Sequence, residues 1–337
     1  MTPQEQIKEK LNLIDLIAGY TQLKPAGSGN WKAVCPFHNE KTPSLQISSD
    51  KQLWHCFGCG AGGDHFAFVM KMEGLDFSEA LRQLAERAGV EIPRFRTAEH
   101  NERTRLFELL SLAARFYASA LRTSTAAEGA RAYVKKRVIP DELLEDFGVG
   151  YAPGGWTALT DALKKRGFHE EELILAGLCA RREKGSGIYD RFRDRLMFPI
   201  RDQNGKTIGF TGRVLSSENQ EAKYVNTPQS PTYDKSAVLY GLDLAKNEIR
   251  AQGFAVVVEG QMDVIGSWRG GVKNVVASSG TALTERQVTA LARCAPLILL
   301  AFDADAAGLQ AARRGIDLAL TAGLDVKIIT LPPGLKD

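Results

Sequence analysis

The chain has 337 residues, 44% of them apolar and 25% charged, and a net charge of only +3. That length supports two or three domains, the composition excludes a disordered or fibrous chain, and no run approaches the ~20 apolar residues of a membrane span. Any surface for nucleic acid must therefore be a local patch rather than a property of the whole chain.

The start, Met1-Thr2-Pro3-Gln4-Glu5, lacks the basic head and apolar core of a signal peptide. Three of the five cysteines fall in one short segment, which suits a reducing compartment and a metal better than a disulfide framework. A cytoplasmic protein with no membrane partner is expected.

Residues 1–96 read as a metal module. Pro3 opens a helix whose apolar stripe, Ile7, Leu11, Ile14 and Ile17, runs to Gly19. Cys35-Pro36-Phe37-His38 and Cys56-Phe57-Gly58-Cys59 are two donor pairs, each with two residues between. A hairpin separates them, with strands at Ser44–Ile47 and Gln52–Trp54. This is the spacing of a structural, tetrahedral zinc site in a zinc ribbon. His38 is the fourth ligand by its pairing with Cys35. His55 and His65 compete with it, but His55 points away from Cys56 on a strand and His65 starts the next helix, Gly63–Met72. Lys32, Lys51 and Trp54, with Trp31, Lys41 and Phe57, mix cations with flat rings as single-stranded nucleic acid requires. The competing role for Trp54 and Phe57 is to fill a very small core. A helix capped by Asp76 and Glu79 buries Leu81, Leu84 and Ala88, stops at Gly89, and a linker follows at Pro93–Thr97.

Residues 97–250 read as a mixed α+β, basic subdomain. A helix covers Leu106–Leu121, and two shorter ones follow at 126–136 and 140–147, before the stretch 150–156. Ile188–Ile200 reads as an apolar strand behind a basic cluster, turning at Asn204-Gly205 into the return strand 208–213. Residues 181–213 hold nine Lys/Arg against four Asp/Glu. Alternation puts Arg191, Arg193 and Arg195 on one strand face, a groove that neutralises phosphates without reading bases.

Residues 251–337 repeat a β-α unit and predict a parallel α/β sheet. The buried run Phe254–Val258 ends in Glu259-Gly260, with Asp263 beyond it, and Leu297–Phe302 ends in Asp303-Ala304-Asp305. Strand ends of a parallel sheet gather at one edge, so Glu259, Asp303 and Asp305 meet there. Three gathered carboxylates need a hard cation among them, which gives a Mg²⁺ or Mn²⁺ site suited to phosphoryl transfer. The alternative is that each acid caps the helix after its strand. Cys179 and Cys294 sit in apolar contexts that read as helical core.

Glu259-Gly260-x-x-Asp263 followed by Asp303-x-Asp305 resembles the Toprim signature of primases, topoisomerases and some nucleases. Cys35 to Ser44 with His55 to Gly60 resembles the zinc-binding domain of bacterial DNA primases. Tyr189 to Arg213, Lys223 to Pro228 and Asp234 to Leu242 resemble the first half of the primase polymerase domain. Ala222 stands where that family usually has proline, and Val138 where glycine commonly follows the arginine.

The resemblance implies a multidomain protein: a zinc ribbon, a basic α+β subdomain and a Toprim-type parallel α/β sheet. It implies a single-strand-templated RNA polymerase that makes short primers from NTPs. By the same likeness Lys223 and Lys235 meet the nucleotide's phosphates, and Arg137 and Arg213 hold the template. Asp337 would begin a further acidic pair, with the motif cut short and a helicase-contacting domain beyond it. A single-strand-binding protein is a further partner, a monomer is expected, and the chain alone should synthesise little. Two alternatives remain: a topoisomerase acting through Tyr189, Tyr224 or Tyr233, and a non-catalytic zinc-ribbon DNA-binding protein.

Overall fold

The computed structural model describes the chain except residues 28, 39, 76, 92–97, 183–184, 216–221, 280–281, 303–314 and 330–337. Two compact units divide it, residues 1–95 and 96–337.

In the first unit Thr2 and Glu5 exchange side-chain-to-backbone hydrogen bonds, a capping box that starts α1 (Pro3–Lys10). The single helix expected from the apolar stripe is two helices. Leu11 is extended, and Asn12 Oδ1 accepts the Ile14 N–H at 2.8 Å to cap α2 (Leu13–Ala18). An asparagine side chain competes with the backbone in this way, and it outweighs the periodicity. Strands β1 (Lys24–Pro25), β2 (Asn30–Ala33), β3 (Leu45–Ser48), β4 (Leu53–Cys56) and β5 (Gly62–Gly63) form an antiparallel sheet in sequence order. Alternation is clean in β3 and β4, with Leu45, Ile47, Trp54 and Cys56 buried and Gln46, Leu53 and His55 exposed. The inner face packs on α3 (His65–Glu73) and α4 (Phe77–Ala88) through Phe66, Phe68, Ala80 and Leu84. Ala80 and Ala85 are buried beside Leu84, while Leu81 and Ala88 are half-buried. The cap expected at Asp76 lies outside the described residues.

The second unit begins with α5 (Ala98–Thr123), α6 (Glu128–Lys136), α7 (Asp141–Asp146) and β6 (Gly150–Ala152). A Cβ at Gly150 would sit 2.5 Å from the Tyr117 carbonyl carbon, so α5 lies directly against the β6 backbone. Then come α8 (Ala158–Lys164), α9 (Glu170–Leu175), β7 (Cys179–Arg181), β8 (Ile188–Asp190), β9 (Arg195–Arg201), β10 (Thr207–Val214) and β11 (Tyr224–Asn226). The strand expected over 188–200 is therefore two strands in two sheets. β8 pairs with β7, whereas β9 sits in the order β11-β10-β9-β6. The chain swings between them through Asp194 at φ 49° because Asp190 is drawn to the start of α8, where it accepts the Leu159 and Thr160 N–H groups. Cys179 lies on a strand and Cys294 in a turn, not on helices.

The parallel part comprises α10 (Leu242–Gln252), β12 (Phe254–Val258), α11 (Gln261–Arg269), β13 (Val275–Ala277), α12 (Glu285–Ala292), β14 (Leu297–Leu300) and β15 (Asp325–Ile328). Its order is β13-β12-β14-β15, all parallel. β12 is buried on both faces, which explains its unbroken apolar run. Val256 and Val258 join a core with Leu196, Phe198 and Tyr240, while Ala255 and Val257 face a second core with Val276 and Ile298. The first of these cores spans residue 250 without a break. Residues 315–321, ahead of β15, are helical.

Candidate metal centre and nucleic-acid interface

The end of β4 and the loop after β2 bring the donor atoms of Cys35, His38, Cys56 and Cys59 within 4.8 Å of one another. Cys35 Sγ and Cys59 Sγ are 4.0 Å apart, and Cys56 Sγ is 3.8 Å from His38 Nδ1. Tetrahedral Zn–S bonds of about 2.3 Å imply sulfur separations of about 3.8 Å, so the four donors fit one zinc ion. His38 Nε2 lies 3.1 Å from Glu40 Oε2, and Glu40 Oε1 accepts the N–H groups of Cys35 and Ser44 at 2.7 and 3.1 Å. A carboxylate on the far nitrogen fixes the ring of a metal-binding histidine. Gly58 is required beside it, since a Cβ there would meet His38 Nε2 at 2.5 Å.

Burial drives the Cys35 thiol up. Burial also works against the Cys56 thiolate, but the Ser44 hydroxyl and the Cys59 and Gly58 N–H groups bring that thiol below its ordinary value. Among the competing histidines, His55 is exposed and His65 is buried with Nε2 2.7 Å from the Leu11 carbonyl. Neither belongs to the four-donor group.

Trp54 is a correction to the expected DNA contacts. It is 3% exposed, donates its indole N–H to the Asp64 carbonyl at 3.0 Å, and packs against Phe37 and Phe68. A tryptophan so enclosed offers no face to a base. Lys32 and Lys51 are exposed, as are the neighbouring rings of His55 and Phe57.

In the second unit, Glu259 follows β12 directly and is half-buried at the carboxyl edge of the parallel sheet. Asp303, Asp305 and Asp337 lie outside the described residues. Asp263 has a different part: its Oδ2 accepts the Gly260 N–H at 2.8 Å and caps α11. Next to Glu259 is a polar link that the sequence did not disclose. Gln261, 3% exposed, donates through Nε2 to Ser279 Oγ at 3.0 Å and Thr211 Oγ1 at 3.4 Å. Thr211 donates onward to Asn226 Oδ1 at 2.7 Å. The three partners lie on separate elements, so no local pattern could have joined them.

The basic residues gather on the antiparallel side. Arg213 on β10 donates to the Tyr224 hydroxyl at 3.1 Å, and its guanidinium lies 4.8 Å from the Tyr133 ring centre. Arg137 lies over the same ring at 5.6 Å. Lys223 is exposed, and Lys235 is half-buried in a 3₁₀ turn, Lys235–Ala237. Arg191, Arg193 and Arg195 line one cavity of about 260 Å³. They converge through the bend between β8 and β9 rather than by strand alternation, because Arg191 and Arg193 are not on a strand. Of the tyrosines considered as nucleophiles, Tyr233 is 2% exposed and burial pushes its hydroxyl up to about 12. Burial also raises Tyr224, with Arg213 opposing.

A four-donor zinc ribbon in one unit, and a basic antiparallel sheet joined to a parallel sheet with a carboxylate at its edge in the other, define a Toprim-type protein with a zinc module. The CHC2 zinc finger family matches residues 2–101, the N-terminal domain of the DNA primase catalytic core matches 116–246, and the Toprim-like family matches 256–337. A DNA primase of Halalkalibacterium halodurans is 42% identical over 98% of this chain and 55% of its own length. The zinc-binding and RNA polymerase domains of Aquifex aeolicus primase superpose with a TM-score of 0.65 at 34% identity, over 99% of this chain and 80% of that one. A primase catalytic domain bound to single-stranded DNA gives 0.63 at 36% identity, over 70% and 76%. The chain belongs to the DNA primase family. It spans about half the length of the curated relatives it matches. Among the described residues no helix is long and apolar enough to cross a membrane.

Proposed function

We propose that this chain is the zinc-binding and polymerising part of a primase, copying single-stranded DNA into short RNA primers in the cytoplasm. The observation that carries the reading is the Gln261 link. It ties Thr211, two residues before Arg213 on the same strand, to the helix that begins two residues after Glu259. A cationic sheet and an acidic strand end thus form one neighbourhood, as nucleotidyl transfer on a polyanion requires.

Zn²⁺ held by Cys35, His38, Cys56 and Cys59 would staple the ribbon and take no part in chemistry. Mg²⁺ or Mn²⁺ bound by Glu259 with Asp303, Asp305 and Asp337 would supply Lewis-acid stabilisation of the triphosphate. Lys223 and Lys235 neutralise the incoming nucleotide's phosphates. Arg137, Arg191, Arg193, Arg195 and Arg213 hold the template backbone, and Lys32 and Lys51 add contacts from the ribbon. The primer 3′-hydroxyl attacks the α-phosphorus, and the bond to pyrophosphate breaks as the new one forms. Glu259 acts either as a metal ligand or as the acceptor of the hydroxyl proton. Partners beyond the template and NTPs are a replicative helicase, through a further C-terminal domain, and a single-strand-binding protein. The protein works as a monomer.

The test is NTP incorporation on a single-stranded template by the full-length protein and its Glu259→Gln variant. Oligoribonucleotide synthesis that the substitution abolishes supports the reading. A covalent DNA adduct through a tyrosine would replace it with a topoisomerase. Single-strand affinity with no synthesis would leave a DNA-binding protein.

A further inference from the structure

Arg137 and Arg213 belong to different elements, yet one aromatic ring lies against both. Tyr133 stands one turn before Arg137, at the end of α6, so their side chains share a face. The Arg137 guanidinium lies 5.6 Å from the Tyr133 ring centre, and that of Arg213, arriving from β10, lies 4.8 Å from it. Both fall within the roughly 6 Å over which a cation is drawn to the face of a ring.

The ring is itself anchored. Tyr133 is half-buried and packs on the core that holds Leu196 of β9 and Val258 of β12. The backbone that carries Arg137 is fixed as well, because Arg269 of α11 donates to the Arg137 carbonyl at 2.8 Å. Tyr133 Oη is buried and has no hydrogen-bond partner among the described residues. The hydroxyl therefore neither reaches solvent nor holds the ring, and the face of the ring is the part that the arrangement uses.

Among the described residues neither guanidinium forms a salt bridge with a carboxylate. Arg213 donates to the neutral Tyr224 hydroxyl at 3.1 Å, directly opposite it in the β10–β11 register. An acid would hold an arginine tightly, but it would also cancel the positive charge that a phosphate needs. A ring holds the cation through its quadrupole and leaves that charge intact.

We infer that Tyr133 is a positioning residue: its ring orders Arg137 and Arg213 before a polyanion arrives and acts only through them. A guanidinium already held in place loses less freedom when it binds, which is preorganisation. The inference rests on the reading of these two arginines as template contacts and adds the residue that sets them.

The test measures binding of the zinc-loaded, full-length protein to a fluorescein-labelled oligo-dT of about twelve nucleotides, a length within the range of single-strand sites. Tyr133→Leu should weaken binding roughly tenfold, because two cation contacts are lost together. Tyr133→Phe keeps the ring and gives up no hydrogen bond, so it should stay within about twofold of wild type. A trifluorinated phenylalanine at position 133 keeps the ring's shape but empties its negative face, and should fall nearly as far as leucine. That variant separates the charge of the ring from its packing, and decides the matter should the leucine variant fail to fold. In a protein carrying Arg137→Ala and Arg213→Ala, Tyr133→Leu should change the residual affinity by less than about twofold, since the ring has nothing left to place. Wild-type affinity of the trifluorinated variant, or the full loss on Tyr133→Leu in the double-alanine background, would overturn the inference and leave the arginines as template contacts. Wild-type affinity of the double-alanine protein itself would instead remove the reading on which the inference stands.

Discussion

Ile139 donates its backbone N–H to the Val134 carbonyl at 3.3 Å, closing the end of α6 around Val138, which itself donates to Lys135 at 3.0 Å. This pair of bonds is a Schellman closure, and Val138 occupies its left-handed position at φ 54°. Glycine is the residue that adopts such a conformation freely, whereas a side chain there costs about 1–2 kcal/mol. Val138 is 66% exposed and recovers little of that by burial. Val138→Gly should therefore raise stability by about 1 kcal/mol, after allowance for the greater freedom of glycine in the unfolded chain. Urea denaturation measures it, and a lower midpoint would mean that the valine makes contacts worth more than the strain.

Glu40 reaches His38 with one carboxylate oxygen and the backbone of Cys35 and Ser44 with the other. It thus orients one ligand and fixes the loop that carries another. Glu40→Ala should weaken zinc binding about 10- to 100-fold, as loss of such outer partners does. Competition with a chromophoric chelator gives the value. Unaltered affinity would show that the loop holds its shape without the carboxylate.

What the sequence disclosed follows from how local each signal was. Both donor pairs of the ribbon were legible because the two members of each lie three residues apart and only a hairpin separates them. β12 was legible because a strand buried on both faces has no polar residue to obscure it, and β14 because its run is apolar throughout although one face is only half-buried. The Ile188–Ile200 segment misled because its apolar alternation is real on either side of the bend. The break depends on Asp190 finding the start of α8, some thirty positions away. The helix break at Asn12 was local but read as noise in a strong stripe. Trp54 carried the composition of a stacking residue, and only the sheet register put it inside. Gln261, Thr211 and Asn226 join three elements and left no trace in any window.

Asp64 caps α3 by accepting the Ala67 N–H at 3.0 Å and pairs with Lys8 at 2.6 Å. Burial opposes its charge, but Lys8 and the backbone N–H groups outweigh it and hold the carboxyl below the ordinary value. A folded-state pKa that is depressed gives stability present above the unfolded value, about 3.9, and lost as pH falls through the folded one. An asparagine at this position would still cap the helix but carry no charge. With Lys8 42% exposed, solvent screening limits the difference to about 1 kcal/mol or less. Asp64→Asn should therefore melt below wild type at neutral pH, with the gap closing below about pH 4. Thermal melts of both proteins across that range check it, and a gap that widens in acid would reverse the assignment.

Gln261 is the hinge of the link between the acidic edge and the basic sheet. Its amide is buried, so Gln261→Ala removes two hydrogen bonds and leaves the Thr211 and Ser279 hydroxyls short of a partner. The stability cost should be about 1–2 kcal/mol. Glu259 stands two residues away at the end of β12, and Arg213 two residues beyond Thr211 on β10. Loosening the link should let these groups drift, and small misplacements of reacting groups are expensive. Primer synthesis by the full-length protein should fall more than stability alone explains, while zinc content stays at the wild-type level. Gln261→Glu, which keeps the length but withdraws the two donors, should resemble the alanine variant. If the glutamate variant synthesises normally, the bonds to Thr211 and Ser279 do not position the site, and the connection between the two sheets serves folding alone.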